Sequence, residues 1–208
     1  MKQVTGKTNS NTTINKVSIR LALDGHSFSI SGEEEHEVKS EVTVEVLTPR
    51  TLLVPAELLN QTSDIEKEMA DLLVMAGLAM KSGDCVICSH ENNGVAAIMA
   101  VPQNAISRIQ NRFKHKVRYT TPLLELTAEG TTLRIHRVAD LLYIKVYSEN
   151  CLQLAEVVPI IGESDLLYLF ERIETEFPLK TYRAIISGDN PKRLHKLLGR
   201  RFKEVICE

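Results

Sequence analysis

No stretch of this 208-residue chain approaches the roughly 20 consecutive apolar residues needed to cross a bilayer. The polar opening, Met1 to Asn15, also lacks the apolar core of a secretory signal, so the sequence predicts a cytoplasmic protein with no membrane role. Cysteine is scarce as well. Four in a chain of this length make no disulfide framework, which agrees with a reducing compartment. The one suggestive pair, Cys85 and Cys88, falls in an apolar run that reads as a strand. Residues three apart on a strand face opposite ways, so packing thiols are expected rather than a metal or redox pair.

The common enzyme signatures are missing too. The chain contains no Walker A loop, no His-Glu-x-x-His, no Gly-x-Ser-x-Gly and no Gly-x-Gly-x-x-Gly. A two-metal nuclease needs several convergent carboxylates, and Asp24 has only Glu91 and Asp189 as distant companions, so no metal site is expected. Aromatic residues make up 5% of the chain, too few to give its two basic clusters a stacking platform for bases. Those clusters are Arg108, Arg112, Lys114, His115, Lys116 and Arg118, then Lys192, Arg193, His195, Lys196, Arg200, Arg201 and Lys203. Both lie near expected helix C-termini, where cations favour the helix dipole, and they read as solvated faces rather than a nucleic-acid surface. Neither sign of charge dominates. The net is −2, although residues 1–104 carry 8 basic against 14 acidic side chains and residues 105–208 carry 17 against 13.

What is present is a pattern of alternation. From Leu133 to Cys207 the chain reads as three short strands, a helix, a strand, a second helix and a closing strand. Leu133 and Ile135 open the first strand, Arg137-Val-Ala-Asp140 turns it, Leu142, Ile144 and Val146 line one face of the next, and Leu152 and Leu154 belong to a third. Ser164 is the expected cap of a helix whose Leu166, Leu169, Phe170, Ile173 and Phe177 share one face.

The first half begins with a polar tail over residues 1–15. Val17, Ile19, Leu21 and Leu23 then alternate up to Asp24-Gly25, and Phe28 and Ile30 follow, which predicts a hairpin. Val42, Val44 and Val46 predict a third strand with one wet face. Ser63-Asp-Ile-Glu66 has capping-box spacing and opens a helix stopped by Gly77. Asn93-Gly94 predicts a second hairpin between Cys85 to Ser89 and Val95 to Val101. A helix from Pro102, a strand over Val117 to Tyr119 and a short helix from Pro122 lead to a boundary at Gly130. Each half therefore reads as a meander followed by helices and strands, an internal duplication.

Several segments carry a resemblance: Val17-Ser-Ile-Arg-Leu-Ala-Leu-Asp-Gly-His-Ser-Phe-Ser-Ile30, Thr121-Pro-Leu-Leu-Glu125, Tyr143 through Leu154, Leu166 to Phe170 and Ile186-Ser-Gly-Asp189. Together they resemble an uncharacterised bacterial family with an actin-like ATPase fold. The resemblance implies triphosphate between two hairpin turns and adenosine against a late glycine-rich turn. The first turn, Asp24-Gly-His-Ser27, keeps an acid, a glycine and a hydroxyl. The second, Arg137 to Asp140, has no glycine, so its Cβ atoms would hold the backbone away from a phosphate and Asp140 would repel one. Ser187-Gly-Asp189 keeps one glycine, ahead of Asn190 and Pro191, which read as a helix N-cap and first turn.

The sequence therefore predicts an α/β protein of actin-like fold, with two ribonuclease H-like subdomains that each open with a three-stranded meander followed by alternating helices and strands. Their bounds are 16–130 and 131–208, after the tail. The expected function is non-catalytic binding or scaffolding of a protein partner, with a degenerate nucleotide cleft and no cofactor. The alternative is an ATPase holding ATP and magnesium through Asp24, Gly25, Ser27, Ser187 and Gly188.

Overall fold

The computed structural model describes residues 17–24, 27–32, 42–61, 64–113 and 117–208. In order these form β1 (Val17–Asp24), β2 (Ser27–Gly32), β3 (Val42–Leu47), β4 (Thr51–Pro55), α1 (Glu57–Gln61), α2 (Ile65–Met75), β5 (Asp84–Cys88), β6 (Val95–Pro102), α3 (Gln103–Phe113), β7 (Val117–Thr120) and α4 (Pro122–Glu125). Two sheets result, a four-stranded one in the order β2-β1-β3-β7 and a three-stranded one in the order β4-β6-β5.

The expected hairpin forms, with Asp24 opposite Ser27 and Ile19 opposite Gly32. The expected meander in this half does not. β3 pairs with β1 in parallel, Val17 beside Val42 and Ala22 beside Leu47. Alternation in Val42 to Val46 correctly gave a strand with one buried face, but it carries no information about the direction of a neighbour. β4 and α1 are additions the sequence reading did not anticipate. Thr51 to Pro55 does not alternate, because β4 packs apolar residues on both sides: Leu53 against one cluster and Val54 against another.

Local signals explain the remaining elements. Asp64 caps α2, its Oδ1 accepting from the Lys67 N–H at 3.2 Å, and Ser63 of the expected capping box lies outside the described residues. Gly77 at φ +76 ends it in a Schellman turn, in which the Leu78 N–H donates to the Leu73 carbonyl and the Gly77 N–H to that of Val74. Asn93 and Gly94 both take positive φ, as the tight β5–β6 turn requires. β6 is buried on both faces. Ala97, Met99 and Val101 pack with Leu21, Val42, Val44, Val46, Ile106 and Ile109, while Ile98 and Ala100 pack with Met69 and Leu73 of α2.

After Gly130 come β8 (Thr132–Val138), β9 (Leu141–Ser148), β10 (Cys151–Pro159), α5 (Glu163–Glu176), β11 (Arg183–Gly188), α6 (Pro191–Leu198) and β12 (Glu204–Cys207), the order of elements expected from the sequence. They build one sheet, β10-β9-β8-β11-β12. β8, β9 and β10 are antiparallel, and β11 and β12 run parallel to β8. In β10 the register slips between Leu152 and Leu154, leaving Gln153 out of the ladder. The cap of α5 is Gly162, not Ser164; Asp165 Oδ2 accepts from the N–H groups of Ile161 and Gly162 at 3.1 and 3.0 Å. One face of the sheet, with Leu133, Ile135, Leu142, Ile144 and Val146, packs against α5 and α6 around fully buried Phe170, whose ring meets that of Phe202 edge-on.

The other face meets the first half. Leu47, Leu123, Leu126, Val138, Tyr143 and Val157 form a shared cluster with Ala22 against it. This cluster brings the ends of β1 and β3 against the β8–β9 hairpin.

Candidate functional site

In an open α/β sheet, ligands gather beyond the carboxyl ends of parallel strands. β8 and β11 run side by side, so their ends coincide, and Gly188 lies beside Arg137. The turn Arg137 to Asp140 and the segment Ser187 to Asp189 are therefore brought together. They are, however, occupied with each other.

The Ala139 N–H donates to Asp189 Oδ2 at 2.7 Å, and the Asp189 N–H donates to the Arg137 carbonyl at 2.7 Å. The Arg137 Nε–H donates to the Ala139 carbonyl at 3.1 Å. An N–H of the kind that would meet a phosphate is thus taken by a carboxylate of the chain itself. Ala139 holds φ +51 without being glycine, a strained conformation that the Asp189 contact helps to fix. Asp140 is exposed.

Gly188 has a local reason to be glycine. Its φ is +86, and a Cβ there would run into the Arg137 carbonyl oxygen and lie 3.0 Å from the Arg137 N and C atoms. It serves close approach of two strands. Asn190 and Pro191 take the N-cap and first helical positions of α6, as expected, but Asn190 is left-handed at φ 53 and its side chain makes no cap bond.

Ser187 turns to a histidine. Its Oγ and His136 Nδ1 are hydrogen-bonded at 2.9 Å. Burial lowers the His136 pKa; Glu45 and Asp189 oppose that, and Arg134 and Arg20 add to it. Arg20 and Glu45, themselves paired at 2.7 Å, come from β1 and β3, so the two halves face each other here. Of the first turn, Asp24 and Ser27 are seen as a backbone pair, and Gly25 and His26 lie outside the described residues.

Other sequence candidates resolve simply. Cys85 and Cys88 point into different apolar clusters from opposite faces of β5. Burial pushes the Cys85 thiol up to about 11, with Glu66 and Asp84 adding to it, and burial also raises Cys88. In the second basic cluster Arg193 pairs with Glu163 at 2.7 Å and Arg201 with Glu174 at 2.7 Å, so part of that charge is already answered. In the first, the Arg112 guanidinium lies 5.1 Å from the centre of the Phe113 ring. Arg134, Tyr143 and Lys145 have no site role in the sequence reading. Their alternation with Leu133, Ile135, Leu142 and Ile144 is the pattern of a wet sheet face, and only the packing of the first half makes it dry.

Among solved structures, the chain is similar to a Bacteroides thetaiotaomicron protein with an actin-like ATPase fold and unknown function. The TM-score is 0.66 at 14% identity, over 95% of this chain and 92% of that one. The likeness shows the fold: an actin-like architecture of mixed α/β content. The cytoplasmic domain of EpsL, an inner membrane component of the type II secretion system of Vibrio cholerae, overlays more distantly, with a TM-score of 0.46 and 12% identity over 93% of this chain and 85% of that one. No family model matches the chain, and no curated protein matches it.

Proposed function

We propose that this chain is a non-catalytic binding or scaffold protein of the cytoplasm, built as two ribonuclease H-like halves over 16–130 and 131–208, in which the nucleotide cleft is degenerate and a protein is the partner. The reading rests on the Asp189 carboxylate seated on the Ala139 N–H at 2.7 Å. A productive triphosphate site needs backbone N–H groups from both turns. Here the second turn already holds an anion, and a phosphate would have to displace it against its charge. The strand order β10-β9-β8-β11-β12 supports the ribonuclease H-like reading of the second half. The first half reads as an abbreviated copy: a hairpin with parallel strands beside it and a three-stranded insertion between β3 and β7.

Calorimetric titration with magnesium ATP tests the reading. With one turn left to act, the dissociation constant should be near millimolar, about 4 kcal/mol of binding in total, and ADP should be hard to distinguish from ATP. A micromolar constant abolished by Asp24→Ala would instead establish the ATP-binding alternative, with magnesium and nucleotide held by Asp24, Gly25, Ser27, Ser187 and Gly188.

A further inference from the structure

On the side that the first half covers, the five-stranded sheet carries a polar patch beside the shared apolar cluster. Register sets Arg134 directly opposite Lys145 and His136 directly opposite Tyr143, so four hydrogen-bonding side chains tile one patch on two central strands. Ser187 continues the tile on β11, beside His136. The patch is largely out of water: Tyr143 is 0% and Lys145 4% exposed, and the Arg134 side chain is 14% exposed.

Its donors are under-used. Among the described residues, Tyr143 Oη and Arg134 Nε have no hydrogen-bond partner. Lys145 Nζ makes one long bond, 3.5 Å to the Leu124 carbonyl, and among the described residues no carboxylate pairs with it. Native proteins rarely leave buried donors unanswered, and two cations directly opposite each other on neighbouring strands repel. Apolar residues of the same size would make a more stable sheet. The surrounding acids are engaged elsewhere: Glu45 with Arg20, and Glu125 with the Thr120 hydroxyl at 2.7 Å. One internal carboxylate does reach the patch. Glu208, half exposed, lies 3.0 and 3.3 Å from the terminal nitrogens of Arg134 and leaves Nε free.

We propose that this patch is an oxyanion site, taking the carboxylate or phosphate group of a small acidic ligand between Lys145, the Arg134 Nε–H and the Tyr143 hydroxyl. Such a ligand supplies what each donor lacks and neutralises the opposed cations. Glu208 then acts as a displaceable internal carboxylate at the exposed side of Arg134. None of these donors belongs to the two turns, so the site stands apart from the reading of the cleft as degenerate for nucleotide.

Calorimetric titration of the full chain with inorganic phosphate, and separately with acetate, tests the proposal. At least one should saturate at one site per chain with a sub-millimolar constant. Phosphate alone would identify a phosphate-bearing ligand, acetate alone a carboxylate. Lys145→Met should weaken binding at least tenfold and Tyr143→Phe about fivefold, while both variants melt at or above the wild-type temperature. Glu208→Ala should tighten it. The proposal falls if neither anion saturates, as would follow if a buried water alone meets Tyr143, or if Lys145→Met and Tyr143→Phe bind as the wild type does. Tyr143→Phe keeps the packing ring, so the test survives a failure of Lys145→Met to fold. Magnesium ATP binding, read with Asp24→Ala, bears on the turns and leaves this outcome unchanged.

Discussion

The two faces of the five-stranded sheet use the same strands for opposite ends. Toward α5 and α6, Leu133, Ile135, Leu142, Ile144 and Val146 pack in one hydrophobic cluster with Phe170, Tyr182 and Leu194. Toward the first half, β8 and β9 present Arg134, His136, Tyr143 and Lys145, with two of their donor atoms unanswered among the described residues. Tyr143 and Lys145 are as deeply buried as the helix face, but the energetic meaning of that burial is reversed. Removing a methylene from the helix face leaves a cavity, whereas removing a polar atom from the other face removes a desolvation penalty.

The comparison can be broken by substitution. Phe170→Ala, on the helix face, should cost roughly 3 to 5 kcal/mol and show as a lower denaturant midpoint. An unchanged midpoint would remove that residue from the core. Gly188→Ala should cost about 2 kcal/mol or more, because a Cβ would drive β11 from β8 and the φ of +86 is unfavourable for alanine. Native-state hydrogen exchange should locate the loss at the β8–β11 ladder. If exchange instead rises evenly across the sheet, the close approach to Arg137 is not the cause.

Acid–base behaviour sharpens the contrast further. Burial pulls the Lys145 ammonium down to about 8 from its ordinary 10.5, with Glu125 partly opposing. Between those values the unfolded chain binds a proton that the folded chain has released, so this group's contribution to stability rises with pH through that window. Lys145→Met lacks the term. Its advantage over wild type should therefore be greatest at pH 7 and shrink by on the order of 2 kcal/mol toward pH 10.5. Cys85, raised to about 11, acts in the opposite direction above pH 9 but is common to both proteins and cancels in the difference. A difference independent of pH would mean that Lys145 is not desolvated. The smallest effect expected is from magnesium ATP, which at low millimolar concentration should move the melting temperature hardly at all. Ligand at 100 times its dissociation constant would stabilise the fold by about 2.7 kcal/mol, so tight binding could not be missed.

Much of the fold was legible because period-two alternation and turn chemistry are local. The hairpin ending at Asp24, the Asn93-Gly94 turn, and every element from β8 to β12 in order could be read this way. The parallel pairing of β3 with β1 could not, since strand direction depends on where the chain returns. Nor could β4, whose Leu-Leu-Val run has two buried faces and no period. For the candidate site, the absence of glycine in Arg137 to Asp140 is plain in the sequence. That Asp189 would take the Ala139 N–H was invisible, because the partners are 50 residues apart. Arg134 and Lys145 carry the strongest residue-level signal that was missed, two cations at facing positions of a hairpin whose register follows from the two-residue turn.

The slip at Gln153 has a consequence for how the sheet meets other chains. Among the described residues β10 and β12 are its edge strands, and edges recruit foreign strands unless something spoils the fit. β12 spoils it by brevity, with four residues. β10 is long, at nine residues, so it needs more: the break in register at Gln153, Pro159 at its end without an N–H, and Glu156 held by Arg172 at 2.7 Å. An incoming strand would find its uninterrupted run limited to Leu154 to Pro159, closed by a residue with no N–H to offer. The irregularity that mars the ladder also keeps the sheet finite.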